Sequence, residues 1–310
     1  MKIVWIGFHM EGIKALNAVV SKYDVAACIT LEPESLSKRS GVIDYYKLAK
    51  SYGISYHEVK HINNSESIQL LKSYAPDLLI VLGWSQILSD QVLSIPKIGT
   101  LGAHASLLPS YRGSAPINWA LINGLTRTGN TLMWLSPGVD TGEIVDQMHF
   151  EITPFDTCES LYLKVAATNA EMLTRSLNKI QVGEKLGEPQ LETDEPLLPR
   201  RRPEDGRIDF DQASLKVYNF IRALTRPYPG AFTSHNNKKL IIWKASLLQL
   251  SSYGLPGKVI DAVYSPSPAS CGIAVACGSG VIIINEIEEN GELFHGPSII
   301  NKYPKGIQFL

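Results

Sequence analysis

Apolar residues gather into short unbroken runs in the first half of the chain, at Lys2 to Phe8, Val25 to Thr30, Leu78 to Leu82, Ile98 to Ala103 and Thr131 to Ser136. Runs of that length bounded by turn formers predict strands buried on both faces. Between them apolar positions recur at helical spacing over Ile13 to Ser21, Val42 to Tyr52 and Ser65 to Ser73. Strand and helix therefore alternate, which predicts an α/β domain built on a mainly parallel, doubly wound sheet. Glu143 to Ile152 reads as one more strand, and Asp156-Thr-Cys-Glu159 as a capping box opening a helix that runs to about Ile180.

From Gly183 to Gly206 the periodicity stops in a Pro-rich, charged stretch that reads as a linker. Beyond it, a helix at Ser214 to Leu224 and short strands at Lys238 to Leu247, Lys258 to Val263, Gly272 to Ala276 and Val281 to Ile287 predict a small, partly open β-barrel. The expected division is a domain over 1–182, a linker over 183–206 and a second domain over 207–310.

Composition narrows the function. The 310 residues, 45% hydrophobic, suffice for one sizeable core and a small second one. A net charge of −1 argues against a chain whose main task is gripping a polyanion. Cys28, Cys158, Cys271 and Cys277 form no close pair, so they read as reduced buried thiols rather than zinc ligands or a disulfide framework. The amino terminus opens directly on a strand and no run approaches a membrane span, so a cytoplasmic protein is expected.

Candidate chemistry lies after two of the predicted strands, where ligands gather in open α/β sheets. His104 follows Ile98 to Ala103, and Asp140 follows Thr131 to Ser136. Their separation of 36 residues fits one crossover helix between parallel neighbours. Histidine is the side chain suited to proton transfer near neutral pH, and an adjacent aspartate fixes its tautomer and stabilises the imidazolium. Either residue alone reads as an ordinary loop or turn residue; the pair carries the signal.

The stretch His104-Ala-Ser-Leu-Leu-Pro-Ser-Tyr-Arg-Gly113 with Pro137-Gly-Val-Asp-Thr-Gly142, and Arg222-Ala-Leu-Thr-Arg-Pro-Tyr-Pro-Gly-Ala-Phe232 further on, resembles the formyltransferases that move a formyl group from 10-formyltetrahydrofolate to an amine. The resemblance runs nearly end to end and implies a Rossmann-like catalytic domain followed by an OB-like β-barrel, with no metal. It implies that His104 and Asp140 are catalytic. Gly102 stands where the family has its catalytic asparagine.

The loss of such a donor to the oxyanion typically costs on the order of 10²- to 10³-fold. Three readings stay open: protonated His104 or an ordered water replaces the amide, the acceptor or acyl group differs, or the chain is an impaired homologue that only binds folate or nucleotide. Glycine at 102 is also expected to leave space for a bulkier substrate group.

By the same resemblance Trp84, Ser85, Gln86, Ile87 and Leu88 receive the folate, and Phe8 and Met10 rim the acceptor pocket. Ser106 shapes the motif loop and counts with Arg112 and Gly113 on the acceptor side. The Arg112 guanidinium either clamps a phosphate or carboxylate of the acceptor or ties its loop to a neighbouring carboxylate. Arg200-Arg-Arg202 reads as solvated, or as lying near an acceptor's diphosphate.

The segment Leu31 to Val42 is short and of mixed charge, unlike the basic loop that grips an acceptor stem. Arg112 to Gly124 and Arg222 to Gly230 resemble the enzymes that formylate a nucleotide-linked amino sugar, and the resemblance implies that partner, with initiator methionyl-tRNA as the runner-up and nucleic acid otherwise unlooked for. Among the sugar enzymes a homodimer is common.

Overall fold

The computed structural model describes residues 1–251 and 254–310. Contacts divide the chain into two compact units, one of residues 1–116, 127–151 and 160–200, the other of 117–126, 152–159 and 201–310.

The first unit is built on a seven-stranded sheet. Its strands are β1 (Lys2–Ile6), β2 (Asp24–Leu31), β3 (Ser55–Val59), β4 (Leu78–Val81), β5 (Gly99–His104), β6 (Arg127–Trp134) and β7 (Ile144–Glu151), in the spatial order β3-β2-β1-β4-β5-β6-β7. The first five run parallel. Strands β1 and β4 are apolar at nearly every position because helices cover both faces.

On one face α1 (Ile13–Val20) and α7 (Cys158–Gln181) set Leu16, Val19, Leu173 and Leu177 against Trp5, Ile80 and Leu101. On the other, α4 (Ser65–Tyr74) sets Ile68 and Leu71 against Ile6, Ile29 and Leu79. Shorter helices α2 (Pro33–Leu36), α3 (Tyr45–Ser51) and α5 (Asp90–Leu93) lie in its connections, while α6 (Pro116–Ile122), between β5 and β6 in the chain, falls almost wholly in the second unit.

One expectation fails. β6 lies beside β5 but antiparallel to it, with His104 opposite Thr131 and Leu101 opposite Trp134. The 36-residue spacing therefore marks a return strand, not a parallel crossover, and Asp140 arrives from the β6–β7 connection. Spacing alone cannot distinguish the two, because antiparallel neighbours accept a connection of any length. Edge strand β3, Ser-Tyr-His-Glu-Val with only Val59 buried, carries no apolar run in the sequence.

The second unit carries a six-stranded antiparallel sheet: β8 (Ala231–His235), β9 (Lys238–Leu248), β10 (Val259–Val263), β11 (Gly272–Ala276), β12 (Val281–Glu289) and β13 (Glu292–His295). The path is β10-β11-β12-β9-β8, with β13 on β12. Asn236 and Asn237, both at positive φ, make the two-residue turn between β8 and β9, the twist that antiparallel hairpins favour. Helix α8 (Ser214–Leu224) turns Val217 and Ile221 inward, and α9 (Pro297–Lys302) buries Ile299 and Ile300.

All four cysteines are buried with free thiols, and burial pushes those of Cys28, Cys158 and Cys277 up to about 12. Among the described residues no helix is long and apolar enough to cross a membrane.

Candidate active site

His104 closes β5, two residues after Gly102, so the two positions share a face of the strand. It is 8% exposed. Its Nδ1 lies 3.4 Å from Asp140 Oδ2 and its Nε2 lies 2.7 Å from the Tyr111 carbonyl. The sequence pair is thus brought together. Both partners are acceptors, so a neutral ring donates to one of them at a time, and a ring that has taken up a proton donates to both.

The loop between is braced from below. Thr131 Oγ1 donates to the Ser106 carbonyl at 2.7 Å and accepts from the Leu108 N–H, while Gln147 Nε2 donates to the Leu108 carbonyl at 3.0 Å. Gly113 N–H donates to Asp140 Oδ2 at 2.9 Å. Gly113 sits at φ +109, and a Cβ there would meet the Leu198 backbone at 2.6 Å, so only glycine lets residues 112–114 pair with Leu198.

Three expectations change here. Space beside Gly102 is not vacant: a Cβ at 102 would lie 2.5 Å from Leu135 Cδ2 and 2.8 Å from its Cγ. Leu135 is held there by its N–H donating to the Thr100 carbonyl at 2.8 Å. Ser106 is 1% exposed and its hydroxyl donates to the Ser110 carbonyl, so it shapes the loop and meets no acceptor. Arg112 is tied rather than free, with Nε and Nη2 both donating to Gln190 Oε1 at 3.2 and 2.6 Å.

The loop after β4 is equally ordered. Gln86 accepts from the Ile62 N–H at 2.8 Å and donates to the Lys60 carbonyl at 3.0 Å, so its amide braces the loop. Asn63 holds the other end through the Ile87 carbonyl and the Ser89 N–H. Ile87 is left 67% exposed, Leu88 is in the core, and Phe8 packs on Trp84 with ring centroids 5.9 Å apart. Met10 opens a turn whose N–H donates to the Gly41 carbonyl.

Beside that turn stands a titratable pair that residue patterns gave no reason to single out. His9 Nδ1 and Glu11 Oε2 are 3.7 Å apart at the carboxyl end of β1. Burial pushes the Glu11 carboxyl up to about 7, against a hydrogen bond from the Gly83 backbone, and holds the His9 imidazole down to about 4. In the second unit Arg201 is not solvated: its guanidinium lies over the rings of Trp119 and Phe220, 5.1 and 5.4 Å from their centroids. Among the described residues no three His, Cys, Asp or Glu side chains could together hold a metal ion.

Residues 14–177 match the family described as "Formyl transferase", and residues 201–304 match "Formyl transferase, C-terminal domain". The chain belongs to the formyl transferase family. It is an enzyme that transfers formyl groups, and the family takes them from a formyl-tetrahydrofolate. A methionyl-tRNA formyltransferase of Clostridium acetobutylicum is 35% identical over 299 residues, 94% of this chain and 93% of its own.

Two solved structures share the formyltransferase fold. HypX from Aquifex aeolicus in complex with tetrahydrofolic acid has a TM-score of 0.65 at 20% identity over 99% of this chain. This chain spans about half of HypX, 48% of its length. An N-formyltransferase from Helicobacter canadensis, in complex with folinic acid and dTDP-3-aminofucose, has a TM-score of 0.65 at 18% identity over 92% of this chain and 99% of its own.

The Trp84–Leu88 loop of this formyltransferase fits a folate. Trp84 Nε1 is buried without a hydrogen-bond partner, and an orphaned indole donor is expensive unless a ligand acceptor completes it. A pterin ring, rich in acceptors, would do so.

Proposed function

We propose that this formyltransferase moves the formyl group of 10-formyltetrahydrofolate onto the primary amine of a small acceptor, a nucleotide-linked amino sugar. Charge carries the choice of acceptor. The chain has a net charge of −1, and the segment where an acceptor stem would need a basic patch sets two cations, Lys38 and Arg39, against Glu32 and Glu34, with Lys38 paired to Glu34 at 3.3 Å. Gripping a polyanion requires a patch of unpaired Lys and Arg. The fold it shares with an N-formyltransferase holding dTDP-3-aminofucose supports the same class.

When bound, the folate supplies an activated formyl carbon. Trp84 and the backbone of residues 85–88 would hold its ring, with Phe8, Met10, Arg112 and Gly113 on the acceptor side. In the transfer a bond forms between the acceptor nitrogen and the formyl carbon, and the bond from that carbon to the folate nitrogen breaks. The proton shed by the attacking amine passes through His104 to the departing folate nitrogen, a contribution of about 10²- to 10⁴-fold. In its protonated form His104 can also turn an N–H from the Tyr111 carbonyl toward the developing oxyanion, the task an amide at position 102 would otherwise perform.

Mass spectrometry of wild-type protein with 10-formyltetrahydrofolate and a panel of nucleotide-linked amino sugars tests the reading. A formylated sugar nucleotide that disappears in His104→Ala supports it. The 35% identity to a methionyl-tRNA formyltransferase favours a second reading. Formylated methionyl-tRNA, with binding that weakens steeply as salt rises, would replace the sugar by the tRNA.

A further inference from the structure

The charged stretch that reads in sequence as a linker reaches into the motif loops. Gln190 Nε2 donates to the carbonyls of Asp140 and Gly142 at 2.9 and 2.7 Å, while its Oε1 takes both bonds from Arg112. Five residues on, Glu195 accepts from the Ser110 hydroxyl at 3.0 Å and from the Tyr111 N–H at 3.3 Å. Leu198 then pairs with the backbone of Arg112 and Ser114.

Asp140 and Tyr111 are the two groups that touch the His104 ring, one on each nitrogen. Both sit at positive φ, +54 for Asp140 and +63 for Tyr111. A non-glycine residue in that region is uncommon and persists where its surroundings hold it. The surroundings here are residues 190–198: one side chain fastens Asp140, another fastens Tyr111.

We propose that Gln190 and Glu195 are positioning residues for His104, acting through Asp140 and Tyr111 respectively. The proposal rests on the reading of His104 as the proton-handling group, and it turns a linker into part of the active site. A histidine held within tenths of an ångström is what proton transfer needs, since misplacement by about 1 Å can cost on the order of 10²-fold.

The test labels the full chain with diethyl pyrocarbonate and follows His104 and His9 by peptide mass spectrometry. His9, buried at the end of β1, is the internal control. In wild type both ring nitrogens of His104 are engaged and labelling is slow. Gln190→Met and Glu195→Ala are each expected to raise His104 labelling about tenfold or more while His9 stays protected.

A parallel measurement, hydrolysis of 10-formyltetrahydrofolate to tetrahydrofolate and formate, needs no acceptor amine. There kcat is expected to fall at least tenfold with KM within twofold. Gln190→Glu keeps an acceptor for Arg112 but sets a carboxylate against two carbonyls, so it is expected not to rescue Gln190→Met. His104 labelling within twofold of wild type, or His9 labelling that rises in step, overturns the proposal. A wild type that formylates none of the acceptors tested overturns the reaction proposed above, and the labelling still decides the positioning.

Discussion

Leu135 stands where a side chain at Gly102 would have to go, its Cδ2 2.5 Å from the site of the missing Cβ. The two positions are coupled, and an amide at 102 requires the Leu135 side chain to move. Gly102→Asn is expected to destabilise the protein by about 1–3 kcal/mol through overpacking. Leu135→Ala is expected to cost about 1–2 kcal/mol, less than a full core truncation because the side chain is half-buried. Combined, they should cost less than the sum, with a coupling of about 1 kcal/mol or more. Urea denaturation of the four proteins measures this; additive effects would show that Leu135 does not occupy the volume.

His104 and Asp140 meet at 3.4 Å, and Asp140 also accepts from the Gly113 N–H. Asp140→Asn keeps an acceptor for that N–H, and asparagine tolerates the positive φ. Its loss of activity, roughly 10²-fold or more, should therefore come with less than 1 kcal/mol of lost stability. Comparing kcat with the thermal midpoint checks it, and a parallel fall in both would mark Asp140 as structural.

Trp84→Phe separates binding from folding. Removing a buried unpartnered Nε1–H should leave the free protein as stable as wild type or slightly more so. Folate affinity should fall about 5- to 15-fold, one hydrogen bond of about 1–1.5 kcal/mol. Calorimetric titration with 5-formyltetrahydrofolate reads the second effect; unchanged affinity would remove Trp84 from the folate site.

The His9–Glu11 pair predicts a pH response that is hidden in the wild type. Glu11, with its carboxyl raised to about 7, stabilises the fold at low pH and loses that contribution as pH climbs from about 4.5 through 7. His9, lowered to about 4, contributes stability above about 6.5 that is lost as pH falls toward 4. Between pH 4.5 and 6.5 the two slopes oppose, because folded and unfolded chains hold one proton each on the pair. Stability from these groups should be flat there, and in Glu11→Gln it should rise with pH by up to about 1.4 kcal/mol per unit. Urea midpoints from pH 4.5 to 6.5 check it, and a variant as flat as wild type would show that His9 is not held neutral.

The sequence by itself carried the long apolar runs of β1, β2 and β4, the helical stripes of α1 and α4, and the loop chemistry of His104 and Asp140. Those features are local: a buried strand needs apolar residues at nearly every position, and a motif loop needs its glycines and its proline wherever the chain goes. Edge strand β3, with polar residues facing solvent, carries no such signature.

Only the tertiary structure decided direction and neighbourhood. It reversed β6 against β5, so that Asp140 meets His104 from a turn and not from a parallel strand end. It set Leu135 against Gly102 and Gln190 on Arg112 and Asp140, contacts spanning 33, 78 and 50 residues of chain. Such pairs cannot be read from residue patterns, because a hydrogen bond or a filled volume depends on where two distant segments are brought, which is fixed by packing the whole sheet.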